Sequence, residues 1–161
     1  MRLFKSFLRL SAVRGLCSAD ENSRLGQGRE STKPSARMQA ERTGRTILVV
    51  DDDSLLLQCV RRILEQASYV VLTSPSGDHA WNVIERDEAK VDLVLTDIVM
   101  PGSIDGLTLA SKIHRTNPKL PVLFISGVLL EDESARCAIE NRLLQKPFSP
   151  KQLVEFIASH L

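Results

Sequence analysis

From Thr46 onward, short apolar runs alternate five times with amphipathic stretches, and this alternation constrains the fold of the 161-residue chain more than any other feature. The runs are Thr46 to Val50, Tyr69 to Thr73, Val91 to Thr96, Pro121 to Ser126 and Arg142 to Gln145, all short and β-branched or Leu-rich. Between and after them, helical spacing predicts helices at Ser54 to Ala67, Ser76 to Asp87, Leu107 to Thr116, Leu130 to Ile139 and Pro150 to His160. The last has the clearest start. Ser149 is placed to cap it, Pro150 suits its first position, and Gln152 completes a capping box. Runs such as Ile47-Leu48-Val49-Val50 and Val122-Leu123-Phe124-Ile125 lack polar alternation, so both of their faces must be buried. The expected fold class is therefore α/β, a five-stranded parallel sheet with (βα)5 doubly wound connectivity and helices on both faces.

Charge separates this body, residues 46–161, from what precedes it. Residues 1 to 46 hold ten Lys/Arg and four Asp/Glu, a balance of +6, whereas residues 47 to 161 hold eleven and sixteen, a balance of −5. An acidic body lacks the clustered cations that supply affinity for phosphate backbones, so no direct nucleic-acid partner is expected. Residues 1–45 are expected to be a disordered basic extension, because Ser, Arg, Gly and Gln dominate from Ser18 to Arg45 without apolar periodicity. Within residues 1–10, Leu3, Phe4, Phe7, Leu8 and Leu10 gather opposite Arg2, Lys5 and Arg9. That pattern suits an anionic membrane surface or an organelle transit peptide, but it fails beyond Leu10. Met38 is an alternative start that would make the preceding residues a misassigned extension, and membrane association is the weaker reading. No apolar run approaches the ~20 residues needed to span a bilayer, so a cytoplasmic protein is expected.

In a doubly wound sheet, function sits at the carboxyl ends of the strands. There the polar residues concentrate: Asp51-Asp52-Asp53 after the first strand, Asp97 after the third, Ser126 ending the fourth, and Lys146-Pro147 after the fifth. Carboxylates a few ångströms apart repel by about 4 kcal/mol per pair at an effective dielectric of 20, so the cluster calls for a counterion. Mg²⁺ takes oxygen ligands and is commonly held by one or two carboxylates together with a phosphate. In such a site Asp97 can act as a nucleophile toward phosphorus, Lys146 can neutralise the transferring group, and the Ser126 hydroxyl can bond its oxygen.

Other reactive residue types carry no comparable pattern. Cys17, Cys59 and Cys137 are too far apart for a CxxC motif and are read as small hydrophobes. His79, His114 and His160 have no second ligand at a metal-binding spacing and are read as helix-surface residues. Trp81 and the phenylalanines are assigned to packing.

Four spaced signatures resemble response-regulator receiver domains of two-component signalling, over residues 46–161. They are ILVVDDD at Ile47 to Asp53, LVLTDIVMPGSIDG at Leu93 to Gly106, LFISG at Leu123 to Gly127, and LLQKPFSP at Leu143 to Pro150. The resemblance implies a flavodoxin-like fold, with Asp51 and Asp52 as an acidic metal-binding pair and Asp97 as phosphoacceptor and metal ligand. It further implies that Val99 lends a backbone carbonyl to Mg²⁺, Ser126 is the switch hydroxyl, Lys146 is the phosphate partner, and the Lys146-Pro147 peptide is cis. The donor would be a histidine kinase or a histidine phosphotransfer protein. The chain would catalyse only its own phosphoryl transfer and dephosphorylation. With no output domain in the sequence, the signal would leave through protein contact or onward transfer, at a face made by the fourth predicted helix, the fifth strand and the fifth helix.

Two departures from the family pattern bear on mechanism. Leu143 stands three before the lysine where the family often has an aromatic residue, and the loop MPGSIDG is one residue longer than the commoner MPGxDG. The longer loop is similar to receivers of hybrid sensor kinases. Two other readings remain. Asp51-Asp52-Asp53 also resembles the DxD motif of haloacid-dehalogenase-type phosphatases, with Asp51 as nucleophile and Asp53 as acid/base, although that leaves Asp97 a lesser role and about 115 residues leave no cap domain. A pseudo-receiver that binds without phosphorylation is disfavoured because no site residue is missing.

Overall fold

Five parallel strands form one sheet in the order β2-β1-β3-β4-β5: β1 (Thr46–Val50), β2 (Val70–Ser74), β3 (Leu93–Asp97), β4 (Val122–Ser126) and β5 (Leu143–Gln145). The computed structural model describes residues 44–86, 90–127 and 139–161. The expectations for residues 1–10 and for the linker up to residue 43 lie outside these, as do Cys17, Cys137 and all but the last residue of the helix expected over 130–139. Every described strand contact is parallel, for example Ile47 with Leu93 and Leu95 with Leu123.

Burial follows from the sequence of the strands. β3 and β4 are buried at every position, and β1 at all but Thr46, as their unbroken apolar character requires. One core lies between the sheet and helices α1 (Ser54–Gln66) and α4 (Pro150–Ala158), built from Ile47, Val49, Val60, Leu64, Leu153 and Ile157 among others. A second, on the opposite face, packs Leu48, Val50, Leu109, Ile113 and Phe124 beneath helices α2 (Gly77–Glu85) and α3 (Gly106–Thr116). Trp81, Phe124, Phe148 and Phe156 all pack in these cores, as expected of them. Among the described residues no helix is long and apolar enough to cross a membrane.

Helix ends explain most boundary differences. Asp53 caps α1, its carboxylate accepting from the N–H groups of Leu55 and Leu56. At the other end Ser68 adopts φ 70°, its N–H bonds the Glu65 carbonyl, and the Tyr69 N–H reaches the Leu64 carbonyl. That is a Schellman closure with serine in the place usually taken by glycine. It engages Tyr69, so β2 begins at Val70, one residue later than its spacing predicts. At α4 the predicted capping box is present: Ser149 Oγ accepts from the Gln152 N–H, and the Gln152 side chain accepts from the Ser149 N–H at 2.8 Å.

Candidate functional site

Three connections at the carboxyl end of the sheet bring the charged residues together. Asp51 follows β1, Asp97 is the last residue of β3, and Lys146 follows β5. The Lys146 ammonium lies 3.0 Å from Asp51 Oδ2 and 2.9 Å from Asp97 Oδ2, an arrangement linking chain positions 95 and 49 residues apart. Asp51 and Asp97 are buried, at 2% and 5% exposure, and Asp52 beside them is exposed. Each of the three offers a carboxylate oxygen within 4.8 Å of the others.

Backbone contacts fix these side chains. Asp51 Oδ1 accepts from the Asp53 N–H at 2.8 Å, while its own N–H donates to the Ser74 carbonyl at 3.2 Å. Asp97 Oδ1 accepts from the Val99 N–H at 3.1 Å. The Thr96 hydroxyl donates to the Asp97 carbonyl at 2.9 Å, and the Lys146 N–H donates to the Ser126 carbonyl at 2.8 Å. The Lys146-Pro147 peptide is cis, as the resemblance implies. Ser126, 2% exposed, ends β4 next to Asp97's strand. At Gly106 the backbone comes close to the site: a Cβ there would lie 2.1 Å from the Asp97 carbonyl oxygen, so only glycine fits without movement.

Electrostatics follow from burial. Desolvation pushes the Asp51 carboxyl up to about 6; the Lys146 ammonium opposes that rise, the Asp97 charge adds to it, and hydrogen bonds from Asp53 and Lys146 lower it. Three carboxylates and one ammonium leave about two negative charges with all three ionised, and an all-oxygen donor set of that charge suits a hard divalent cation.

All of the sequence-predicted side chains thus converge on one end of the sheet, with Val99 two residues beyond Asp97. The contributions of Ser74, Thr96 and Gly106 were not anticipated, although a glycine next to a predicted helix start is a signal that could have pointed to Gly106. Asp53 is turned to its helix cap. His79 and His114 lie exposed on α2 and α3, the His79 ring bonding Ser74 Oγ at 2.9 Å, and His160 follows α4 half-buried, its ring bonding the Phe156 and Asn141 carbonyls at 2.8 and 2.9 Å. A cavity of about 400 Å³ near the amino ends of β3 and β4 is lined by Arg45, Asp92, Lys119 and His160, far along the strands from this cluster. Its acidic group is engaged internally, Asp92 accepting from the Thr46 N–H and pairing with Arg45.

A doubly wound parallel sheet with an acidic trio and a lysine gathered at its carboxyl end defines an α/β domain whose charged site lies at its strand ends. The chain belongs to the response regulator receiver domain family, whose model matches residues 47–158. It is 34% identical over 119 residues to the sensor kinase CckA of Brucella abortus, covering 72% of this chain and 12% of that one. It is 32% identical over 112 residues to the transcriptional regulatory protein YbdJ of Bacillus subtilis, covering 69% and 48%. The chain therefore spans less than half the length of these relatives. Among solved structures, a receiver domain from Clostridium thermocellum superposes with TM-score 0.63 at 28% identity, covering 72% of this chain and 93% of that one. The response regulator TrrA of Thermotoga maritima, solved in complex with Mg²⁺-BeF, superposes with TM-score 0.65 at 25% identity, covering 73% and 99%.

Proposed function

We propose that this chain is the phosphoacceptor module of a two-component relay, in which Asp97 takes a phosphoryl group from the phosphohistidine of a histidine kinase or phosphotransfer protein. The observation that carries this reading is Lys146, whose ammonium bridges Asp51 and Asp97 at 3.0 and 2.9 Å beside the exposed Asp52. In transfer, an Asp97 carboxylate oxygen forms a bond to phosphorus as the phosphorus–nitrogen bond of the donor breaks, giving an acyl phosphate. Lys146 then stands beside the added negative charge, and Ser126 offers a hydroxyl to a phosphoryl oxygen. Asp51, Asp52, Asp97 and the Val99 carbonyl would hold Mg²⁺, which when bound supplies charge neutralisation on the phosphoryl oxygens. The complex of TrrA with Mg²⁺-BeF supports that choice of ion. The phosphatase alternative loses its acid/base, because the Asp53 carboxylate is engaged at the N-cap of α1. Incubating the chain with Mg²⁺ and acetyl phosphate, and separately with phosphorylated histidine phosphotransfer proteins, should label it; absence of label from every donor overturns the proposal.

Metal binding makes a second prediction. The folded Asp51 carboxyl at about 6 lies above its ordinary 3.8, so the proton it retains stabilises the metal-free fold at low pH. That contribution is lost as pH rises from 3.8 through about 6. A cation competes with this proton and binds the native state. At about ten times its dissociation constant Mg²⁺ adds about 1.4 kcal/mol, or roughly 5 °C in melting temperature. Calorimetric melts should show a larger Mg²⁺ gain at about pH 7.5 than at about pH 5. An equal gain in Asp52→Asn would remove Asp52 from the metal site.

Signal output is assigned to the face around β5 and α4. Leu143 is half-buried in the α2/α3-side core and pairs with Phe124, so it offers dispersion contacts and no swinging ring. With that contribution missing, a bound partner supplies part of the roughly 5.5 kcal/mol that a full population shift from 1:99 to 99:1 requires. Ser126→Ala is expected to accept phosphate normally while the phosphate-dependent amide shifts over residues 139–161 shrink by about half or more. Amide NMR with and without beryllofluoride reads this directly, and undiminished shifts in Ser126→Ala would exclude a hydroxyl-driven switch.

A further inference from the structure

The connection from β3 to α3 carries Val99 and contains the extra residue of MPGSIDG, and its tip rests on the first turn of α2. There the Ser103 hydroxyl donates to Asp78 Oδ1, and the Ser103 N–H donates to Asp78 Oδ2 at 3.2 Å. One residue of the loop thus uses both oxygens of one carboxylate. Gly102 turns the chain with φ +121°, and a Cβ there would stand 2.8 Å from Asp78 Oδ2. Ile104 is buried next to the grip, its carbonyl oxygen 2.1 Å from where a Cβ on Gly77 would lie. The Ser103 hydrogen bond holds the Asp78 carboxyl below the usual carboxylate range, as a carboxylate engaged by donors requires. At its start the same loop is tied to the last residue of β3, and at its end to its own first residue. The Val99 N–H donates to Asp97 Oδ1 at 3.1 Å, and the Gly106 N–H donates to the Ile98 carbonyl at 3.0 Å. Between them Met100 is buried in the α2/α3-side core.

A loop fixed at its ends and in its middle has little freedom left at Val99, and the middle anchor is the only one of the three made by an exposed side-chain pair. We propose that Asp78 is a positioning residue that, by gripping Ser103, holds the loop so that Val99 presents its carbonyl to the metal, and thereby sets Mg²⁺ affinity without touching the ion. The inference rests on the reading of Asp51, Asp52 and Asp97 as a Mg²⁺ site. Partners that orient metal ligands from behind commonly change affinity 10- to 100-fold when removed.

The test is calorimetric Mg²⁺ titration of the full chain, with melting temperature measured alongside in metal-free buffer. Asp78→Ala and Ser103→Ala should each weaken Mg²⁺ binding about tenfold. The double variant should do no worse than Asp78→Ala, which already removes every bond between the two residues. Ser103→Thr, which keeps the hydroxyl and the N–H, should restore the parent affinity. Labelling by acetyl phosphate should reach the parent level once Mg²⁺ is saturating. Ser103→Ala separates the grip from the helix-dipole effect of an acid in the first turn, which only Asp78→Ala removes. If both alanine variants lower the melting temperature but bind Mg²⁺ like the parent, the grip is only structural and the proposal fails. Asp52→Asn is the control: normal Mg²⁺ binding there would show that the metal site itself is misread and would take the inference with it.

Discussion

Asp97→Asn is expected to reduce acetyl phosphate labelling to background while leaving the fold intact. The amide has the size of the carboxylate, and its oxygen can still accept from the Val99 N–H that now bonds Asp97 Oδ1. What it lacks is the charge and nucleophilicity needed to attack phosphorus. Removing one of two carboxylates that face the same ammonium also relieves repulsion, so the metal-free melting temperature should hold or rise. Intact-mass and radiolabel measurements on the parent, Asp97→Asn and Asp51→Asn decide between the two nucleophiles. Asp51→Asn should retain label when Mg²⁺ is raised. Persistent label in Asp97→Asn with loss in Asp51→Asn would move the nucleophile to Asp51 and revive the phosphatase reading.

Gly106→Ala should be strongly destabilising. The added carbon would meet the Asp97 carbonyl oxygen at 2.1 Å and the Ile98 Cα at 2.9 Å, both backbone atoms that cannot rotate away. Overpacking of flexible side chains costs about 1–3 kcal/mol, and a clash with strand backbone belongs at or above the upper end. A fall of roughly 3 kcal/mol corresponds to a melting temperature lower by on the order of 10 °C. Because the displaced atoms belong to Asp97 and its neighbour, acetyl phosphate labelling should fall as well, even below the melting temperature. Denaturant unfolding checks the first effect, and a loss under about 1 kcal/mol would show that α3 moves away freely.

The readings that succeeded from sequence were those with local causes. The α4 start is written in Ser149-Pro150-Lys151-Gln152, where every hydrogen-bonding partner lies within three residues. Strand burial is written in the unbroken apolar runs of β1 and β4. The convergence of Asp51, Asp97 and Lys146 was legible only through the topology, because a doubly wound sheet places all its strand ends on one side. Contacts with neither a local nor a topological signature stayed hidden. Asp78 and Ser103 lie 25 residues apart in unremarkable polar positions, and nothing in their spacing connects them. Ser68 at φ 70° is equally silent, since the left-handed position ending α1 is usually announced by glycine. Sequence alone assigns Lys146 to the transferring group, whereas its ammonium already stands against two of the acids.

The strand order also has a consequence for the chain as it assembles. Among the described residues no hydrogen-bonded strand pair is a hairpin; Ile47 meets Leu93 and Phe124 meets Leu143 only after intervening segments have folded back. A partly assembled sheet of β2, β1 and β3 would already oppose Asp51 to Asp97, without the ammonium that follows β5. Repulsion at that stage disfavours lingering there, and docking of the final strand and α4 converts it into attraction. The charge balance of the site is thus completed only by the carboxy-terminal segment, when β5 and α4 bring Lys146 against the two buried acids.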